Sequence, residues 1–283
     1  MYGKTRLFRA EKLYTAQNYQ TFIEAFRKNF PDYIYYCPFR SKELISAPLS
    51  SIETVYVPRE CLTKLQKVKK PDELQSMALE LLNLISKQSG IGLADFGIHG
   101  SIALNMHAPE SDIDFVVYGS ENFRIVEQSI AELVNMGKLS YIFGNRLDAA
   151  RRFQGRYNGK VFMYNATRQL EEIQNEYGMY RYVSIAPLRF QCTVANDNEN
   201  MFRPSTYKIS GYKPIDSASE IPFDKIPDRV VSNIGCYRNI ARQGSEIKAA
   251  GTLERAEPVT KGTTFYQVVV GTATSEEEYI WPI

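Results

Sequence analysis

The stretch ADFGIHGSIALNMHAPESDIDFVVY, ending at Tyr118, constrains the fold more than any other part of the chain. A short apolar run, Leu93 to Ile98, leads into Gly100-Ser101. Further on, Ser111-Asp112-Ile113-Asp114 opens a strand pattern that continues through Phe115-Val116-Val117. Strand side chains alternate between faces, so Asp112 and Asp114 point to one side while Ile113 and Phe115 enter the opposite layer. Two neighbouring carboxylates repel, and burying them unpaired is costly. A divalent cation relieves both problems, Mg²⁺ (or Mn²⁺) above all when phosphate oxygens complete its shell.

Gly100-Ser101 supplies the other half of such a site. Ser101 to His107 (SIALNMH) is predicted as a helix, stopped by Ala108-Pro109. A glycine before a helix start lets a phosphate approach the backbone, and the free N–H groups of the first turn favour an anion. The Ser101 hydroxyl can cap that turn or donate to a phosphate oxygen. His99 stands where it could reach a phosphate or a base edge, or serve as a hydrogen-bonded structural residue; His107 reads as a surface cap. A triphosphate would lie between the helix start and the carboxylates.

Strand, Gly100-Ser101, short helix and a strand carrying Asp112-x-Asp114 together resemble the signature of the nucleotidyltransferase superfamily, which includes DNA polymerase beta and the CCA-adding enzymes. The resemblance covers roughly residues 70–195. More loosely, the whole chain resembles predicted archaeal nucleotidyltransferases with a small β-rich C-terminal region. It implies transfer of NMP from an NTP to a hydroxyl on RNA, a protein or a small molecule. Asp112 and Asp114 would hold the metal, and Gly100, Ser101, His99 and Ser111 would bind the nucleotide. Arg151 or Arg152, in the basic segment Arg146 to Lys160, would neutralise leaving-group charge; the same segment also reads as a basic surface helix before a hairpin turn at Asn158-Gly159. The superfamily also leads one to expect a third carboxylate on a later strand. Pro187 to Ala195 shows Arg189, Gln191 and Thr193 on one face, and the returning strand Lys160 to Asn165 carries no acid. Asp197, just past the first of these, is the candidate third catalytic acid. Its absence from the strand itself favours the alternative, a catalytically inactive module that binds nucleotide or RNA. A sugar-nucleotide glycosyltransferase also uses Asp-x-Asp, but the Gly-Ser at this spacing speaks against it.

The rest of the chain sets the frame. Its 283 residues allow two or more domains, and 23% charged with 44% hydrophobic residues is the composition of an ordinary globular protein. A net charge of +2 is too balanced to name a nucleic-acid partner. No apolar run approaches membrane-spanning length and the first residues lack a signal-peptide core, so the expectation is a cytoplasmic protein without a membrane partner. Cys37, Cys61, Cys192 and Cys236 are scattered without a metal-binding pair and are expected as reduced thiols.

The predicted class is α+β: a small mixed sheet with helices, plus a C-terminal all-β, barrel-like part. Residues 1–60 are expected to form an α/β extension with a helix near 18–29 and strands at Tyr33 to Tyr36 and Glu53 to Val57. Residues 61–200 would be the nucleotidyltransferase domain, 201–228 a linker with one strand, and 229–283 a β-rich, OB-like domain. Within the second of these, the lysine-bearing Pro58 to Lys70 reads as a solvated helix face. Pro71-Asp72-Glu73 opens a helix with an apolar stripe from Leu74 to Ile85, and Ser120 is expected to cap another, ending at Gly137.

Overall fold

The computed structural model of the protein describes residues 18–272 and 277–283. Their contacts gather into two units, one formed by Thr54–Ile173 and the other by 18–53 with Gln174–Ile283.

The chain opens with α1 (Tyr19–Asn29), stopped at Pro31, and a hairpin of β1 (Ile34–Cys37) and β2 (Lys42–Ile45). The strand expected at Glu53 to Val57 does not form. Instead β2 comes from the segment read as a loop, because Ser41 adopts a left-handed φ of 47° and turns the chain back so that Lys42 faces Cys37.

In the Thr54–Ile173 unit, α2 (Pro58–Gln66) holds Lys64, with Lys67, Lys69 and Lys70 beyond its end, but it also buries Cys61, Leu62 and Leu65, so this helix has a packing face. Next comes α3 (Glu73–Ser89). Asp72 and Gln75 close a reciprocal cap at its start, and Gly90 ends it at φ 74°. Leu74, Ala78, Leu81, Leu82 and Ile85 form the predicted buried stripe. Then follow β3 (Phe96–Ile98), α4 (Gly100–Ala103), β4 (Ile113–Tyr118), α5 (Ser120–Asn135), β5 (Ser140–Tyr141), α6 (Arg146–Arg151), β6 (Gln154–Tyr157) and β7 (Lys160–Thr167). The sheet order is β3-β4-β7-β6-β5, with β4 and β7 parallel and the other neighbours antiparallel. One face is closed by an aromatic core in which Tyr164 touches Phe115, Phe123, Phe153 and Phe162, and α3 and α5 pack on each other. Two local expectations change. α4 is one turn rather than a helix to His107, because Asn105 takes a left-handed φ of 52°. Ser120 is the first residue of α5 rather than its cap, and its hydroxyl donates to Glu172 at 2.6 Å.

The second unit is built on β8 (Tyr180–Glu199), β9 (Ser205–Pro214), β10 (Arg229–Ser232), β11 (Glu246–Pro258), β12 (Phe265–Val270) and β13 (Tyr279–Pro282). The sheet order is β12-β10-β9-β8-β11-β13, and β12 also pairs with β11, so five strands form a closed ring of pairings. Strand β11 serves two partners on one edge, β13 along Ile247 to Ala250 and β12 along Thr252 to Ala256. Gly251 sits at the changeover, where a Cβ would come within 2.5 Å of the Val269 carbonyl oxygen. Pro187 to Ala195, expected beside the Asp-x-Asp strand, lies instead within β8 and pairs with β9 and β11. Its alternating Leu188, Phe190, Cys192 and Val194 are buried as the inner face of the ring. The stretch 201–228, expected as a linker, contributes β9, with Ser205, Tyr207 and Ile209 buried. The all-β part therefore begins at β8, not at residue 229.

Candidate active site

The acidic pair sits at the start of β4, next to the edge strand β3. Ile113 and Phe115 are wholly buried in the aromatic core, which forces Asp114 onto the opposite face, where it is half-buried. Asp112 precedes the strand, close enough to act on Asp114. Burial, and then the Asp112 charge, push the Asp114 carboxyl above the usual range, with His99 partly offsetting them. Among the described residues no group donates a hydrogen bond to this carboxylate.

The Gly-Ser turn is pressed against it. The His99 N–H donates to the Asp114 carbonyl at 3.1 Å, which extends the β3–β4 ladder by one step. Gly100 follows with φ 65°, and a Cβ there would meet Asp114 Oδ2 at 2.3 Å. Only glycine fits, on both counts. Ser101 Oγ is buried without a hydrogen-bond partner, an uncommon state that leaves an unused donor and acceptor beside the turn. Ser111 holds the intervening loop: its Oγ accepts from the Ala108 N–H at 3.0 Å and its own N–H donates to the Ala108 carbonyl at 2.9 Å. Lys160 Nζ fixes the same loop through the Pro109 carbonyl. His107 Nε2 lies 2.7 Å from Asp72 Oδ2, which anchors the loop to the start of α3.

His99, Gly100, Ser101, Ser111, Asp112 and Asp114 thus gather at the turn after β3 and the start of β4. The arginines are engaged locally. Arg151 Nη2 donates to Asp148 at 2.7 Å, and Arg152, which ends α6 at φ 55°, lies 5.8 Å from the Tyr141 ring centre. Asp197 stands in β8, in the other unit, with its carboxylate 3.8 Å from Arg242 Nη1.

The strand beside Asp114 is β7. Asp114 pairs with Met163 and Val116 with Asn165, so Val161, Met163 and Asn165 share the face of the acids. None is acidic, and Asn165 Oδ1 is buried without a partner. Among the described residues no three His, Cys, Asp or Glu side chains form a group able to hold a metal ion. Sequence reasoning did not single out Asn165, because the β4–β7 register comes from a long-range pairing. At the far end of the same face, Arg59 stacks 4.0 Å from the Tyr118 ring centre and bonds Gln169 Oε1 at 3.1 Å, so α2 closes that end.

Two repelling carboxylates, a glycine turn in contact with one of them and an orphaned buried hydroxyl suit a divalent cation that completes its shell with phosphate oxygens and water. Mg²⁺ commonly uses only one or two protein carboxylates in such a setting. Fold and site together describe a mixed-sheet domain with an acidic pair set against a glycine turn.

Comparison with known proteins agrees. Residues 80–175 match the family model of the nucleotidyltransferase domain. The match ends before β8, near the boundary between the two units. An uncharacterized protein of Methanocaldococcus jannaschii is 28% identical over 222 residues, which is 70% of this chain and 62% of that protein. The chain thus spans less than two thirds of this relative's length. No solved structure matches it. Among the described residues no helix is long and apolar enough to cross a membrane.

Proposed function

We propose that the protein is a divalent-metal-dependent nucleotidyltransferase that moves NMP from an NTP to a hydroxyl acceptor, on RNA, a protein or a small molecule. The carrying observation is the half-buried Asp114 carboxylate beside Asp112, packed on Gly100, with the Ser101 hydroxyl buried and without a hydrogen-bond partner in the same turn. Asp112 and Asp114 would hold Mg²⁺ or Mn²⁺, which when bound offsets the charge of the polyphosphate and of the leaving pyrophosphate. Gly100 lets the Asp114 carboxylate lie against the backbone of the turn, and Ser101 Oγ would donate a hydrogen bond to a phosphate oxygen. His99 and Ser111 keep the turn and the loop in place around it. In the reaction the acceptor oxygen bonds to the α-phosphorus, the bond to the bridging oxygen of pyrophosphate breaks, and the hydroxyl proton leaves to solvent. The reading does without Asp197, which is already paired with Arg242.

The test is incubation of the purified protein with each α-labelled NTP, Mg²⁺ or Mn²⁺, and cellular RNA or protein. Labelled acceptor is expected, with metal required. Asp112→Ala and Asp114→Ala should each abolish it while circular dichroism stays unchanged; undiminished labelling in both variants would refute the assignment.

A second reading is favoured by Val161 and Met163, apolar where a third acid would stand on β7: a domain that binds nucleotide or RNA without turnover. Metal-dependent NTP binding with no pyrophosphate release for any acceptor would select it.

A further inference from the structure

A cavity of about 500 Å³ opens in the Thr54–Ile173 unit between α2, the start of α3, β3 and α4. That is within the usual size of small-molecule sites, ~300–1,000 Å³. Its floor is apolar, formed in part by the buried side chains of Cys61, Leu65, Ile98 and Ile102. Lys64 and Lys70 also line it, and among the described residues neither ammonium meets a carboxylate. The charge of Lys64 is felt inside: burial pushes the Cys61 thiol up, and Lys64 partly counters it. Asp72 lines the cavity too, but its carboxylate is committed to His107 at 2.7 Å and to the Gln75 N–H at 2.9 Å.

Two ammonium groups that meet no carboxylate among the described residues, set above an apolar floor, suit a ligand that is doubly negative at one end and apolar at the other. We propose that this cavity binds a phosphate monoester with an apolar or aromatic body, at a site separate from the nucleotide turn. The two sites share α4. Gly100 faces Asp114, while Ile102, Ala103 and Asn105 line the cavity. An occupant therefore rests on the same single turn that holds the phosphate side of the proposed active site, and its binding acts on nucleotide affinity through that turn.

The probe is 1-naphthyl phosphate, titrated calorimetrically into the full-length chain, with inorganic phosphate and 1-naphthol as its separate halves. The ester should bind at least about tenfold more tightly than either half. The double variant Lys64→Met, Lys70→Met should weaken it by at least about tenfold at an unchanged melting temperature. Asp112→Ala should bind it as the native chain does, which separates this site from the proposed catalytic one. No binding of the ester, or binding indifferent to the two lysines, overturns the proposal. Binding lost in Asp112→Ala but kept in the lysine variant would place the ester at the nucleotide turn and overturn it as well.

Discussion

Glu254 in the strand ring and Asp114 in the mixed sheet are both drawn back from water, one buried and one half-buried, and they are treated in opposite ways. In the strand ring, Glu254 is 6% exposed and accepts from Gln267 Nε2 at 3.0 Å, with Arg40 Nη1 3.9 Å away and the Arg40 guanidinium over the Tyr182 ring. Its charge is matched by the protein itself. In the mixed sheet, Asp114 faces another acid, lies against a glycine and accepts no hydrogen bond from the described residues. Its charge is left for something outside the chain. A buried acid that is already satisfied belongs to the architecture, whereas one under repulsion at the start of a strand is the candidate for binding on which the proposed function rests.

That contrast can be broken by substitution. The largest effect is expected for Asp114→Ala on nucleotidyl transfer, a loss of about 10²–10³-fold or more, read as initial rate under saturating metal. For Glu254→Ala the effect should fall on stability instead, about 1–3 kcal/mol in urea denaturation, because the buried Gln267 amide loses its acceptor. If Glu254→Ala abolished transfer and left stability untouched, the contrast would be reversed. Gly100→Ala should cost about 1–2 kcal/mol through its φ of 65°, and should also reduce transfer by displacing Asp114.

The smallest effect concerns pH. Burial and Asp112 hold the Asp114 carboxyl above its ordinary value, so folding disfavours its ionised form. Without metal, this contribution to stability should fall as pH rises from the ordinary carboxylate range through the raised pKa. Asp114→Asn should remove that slope and make the metal-free chain slightly more stable at neutral pH. Chemical denaturation at several pH values, with and without Mg²⁺, checks the sign. A native chain whose stability increases over that interval without metal contradicts it.

What the sequence disclosed follows the range of the interactions. Asp112, Asp114, Gly100 and the stripe of α3 were legible because alternation, caps and turn residues are local. The helix expected to reach His107 failed at Asn105, where a single left-handed residue ends it. Glu53 to Val57 has strand composition but no neighbour to pair with, while Lys42 to Ile45 has little strand character and pairs through a turn at Ser41. Strand β8 was the costliest misplacement. Its apolar alternation announces a strand, but whether that strand joins the sheet of β4 or the ring of β11 depends on partners more than fifty residues further along. Asp197 was chosen on that misplacement.

One consequence follows from the changeover at Gly251. The edge of β11 from Ile247 to Ala250 is covered by β13 alone, with Ile280 wholly buried behind it. Clipping the chain after Gly271 would uncover a row of unmatched amides at this seam, which another molecule could zip onto. A shortened protein of this kind should therefore run as a multimer in size-exclusion chromatography even while its mixed-sheet unit stays folded.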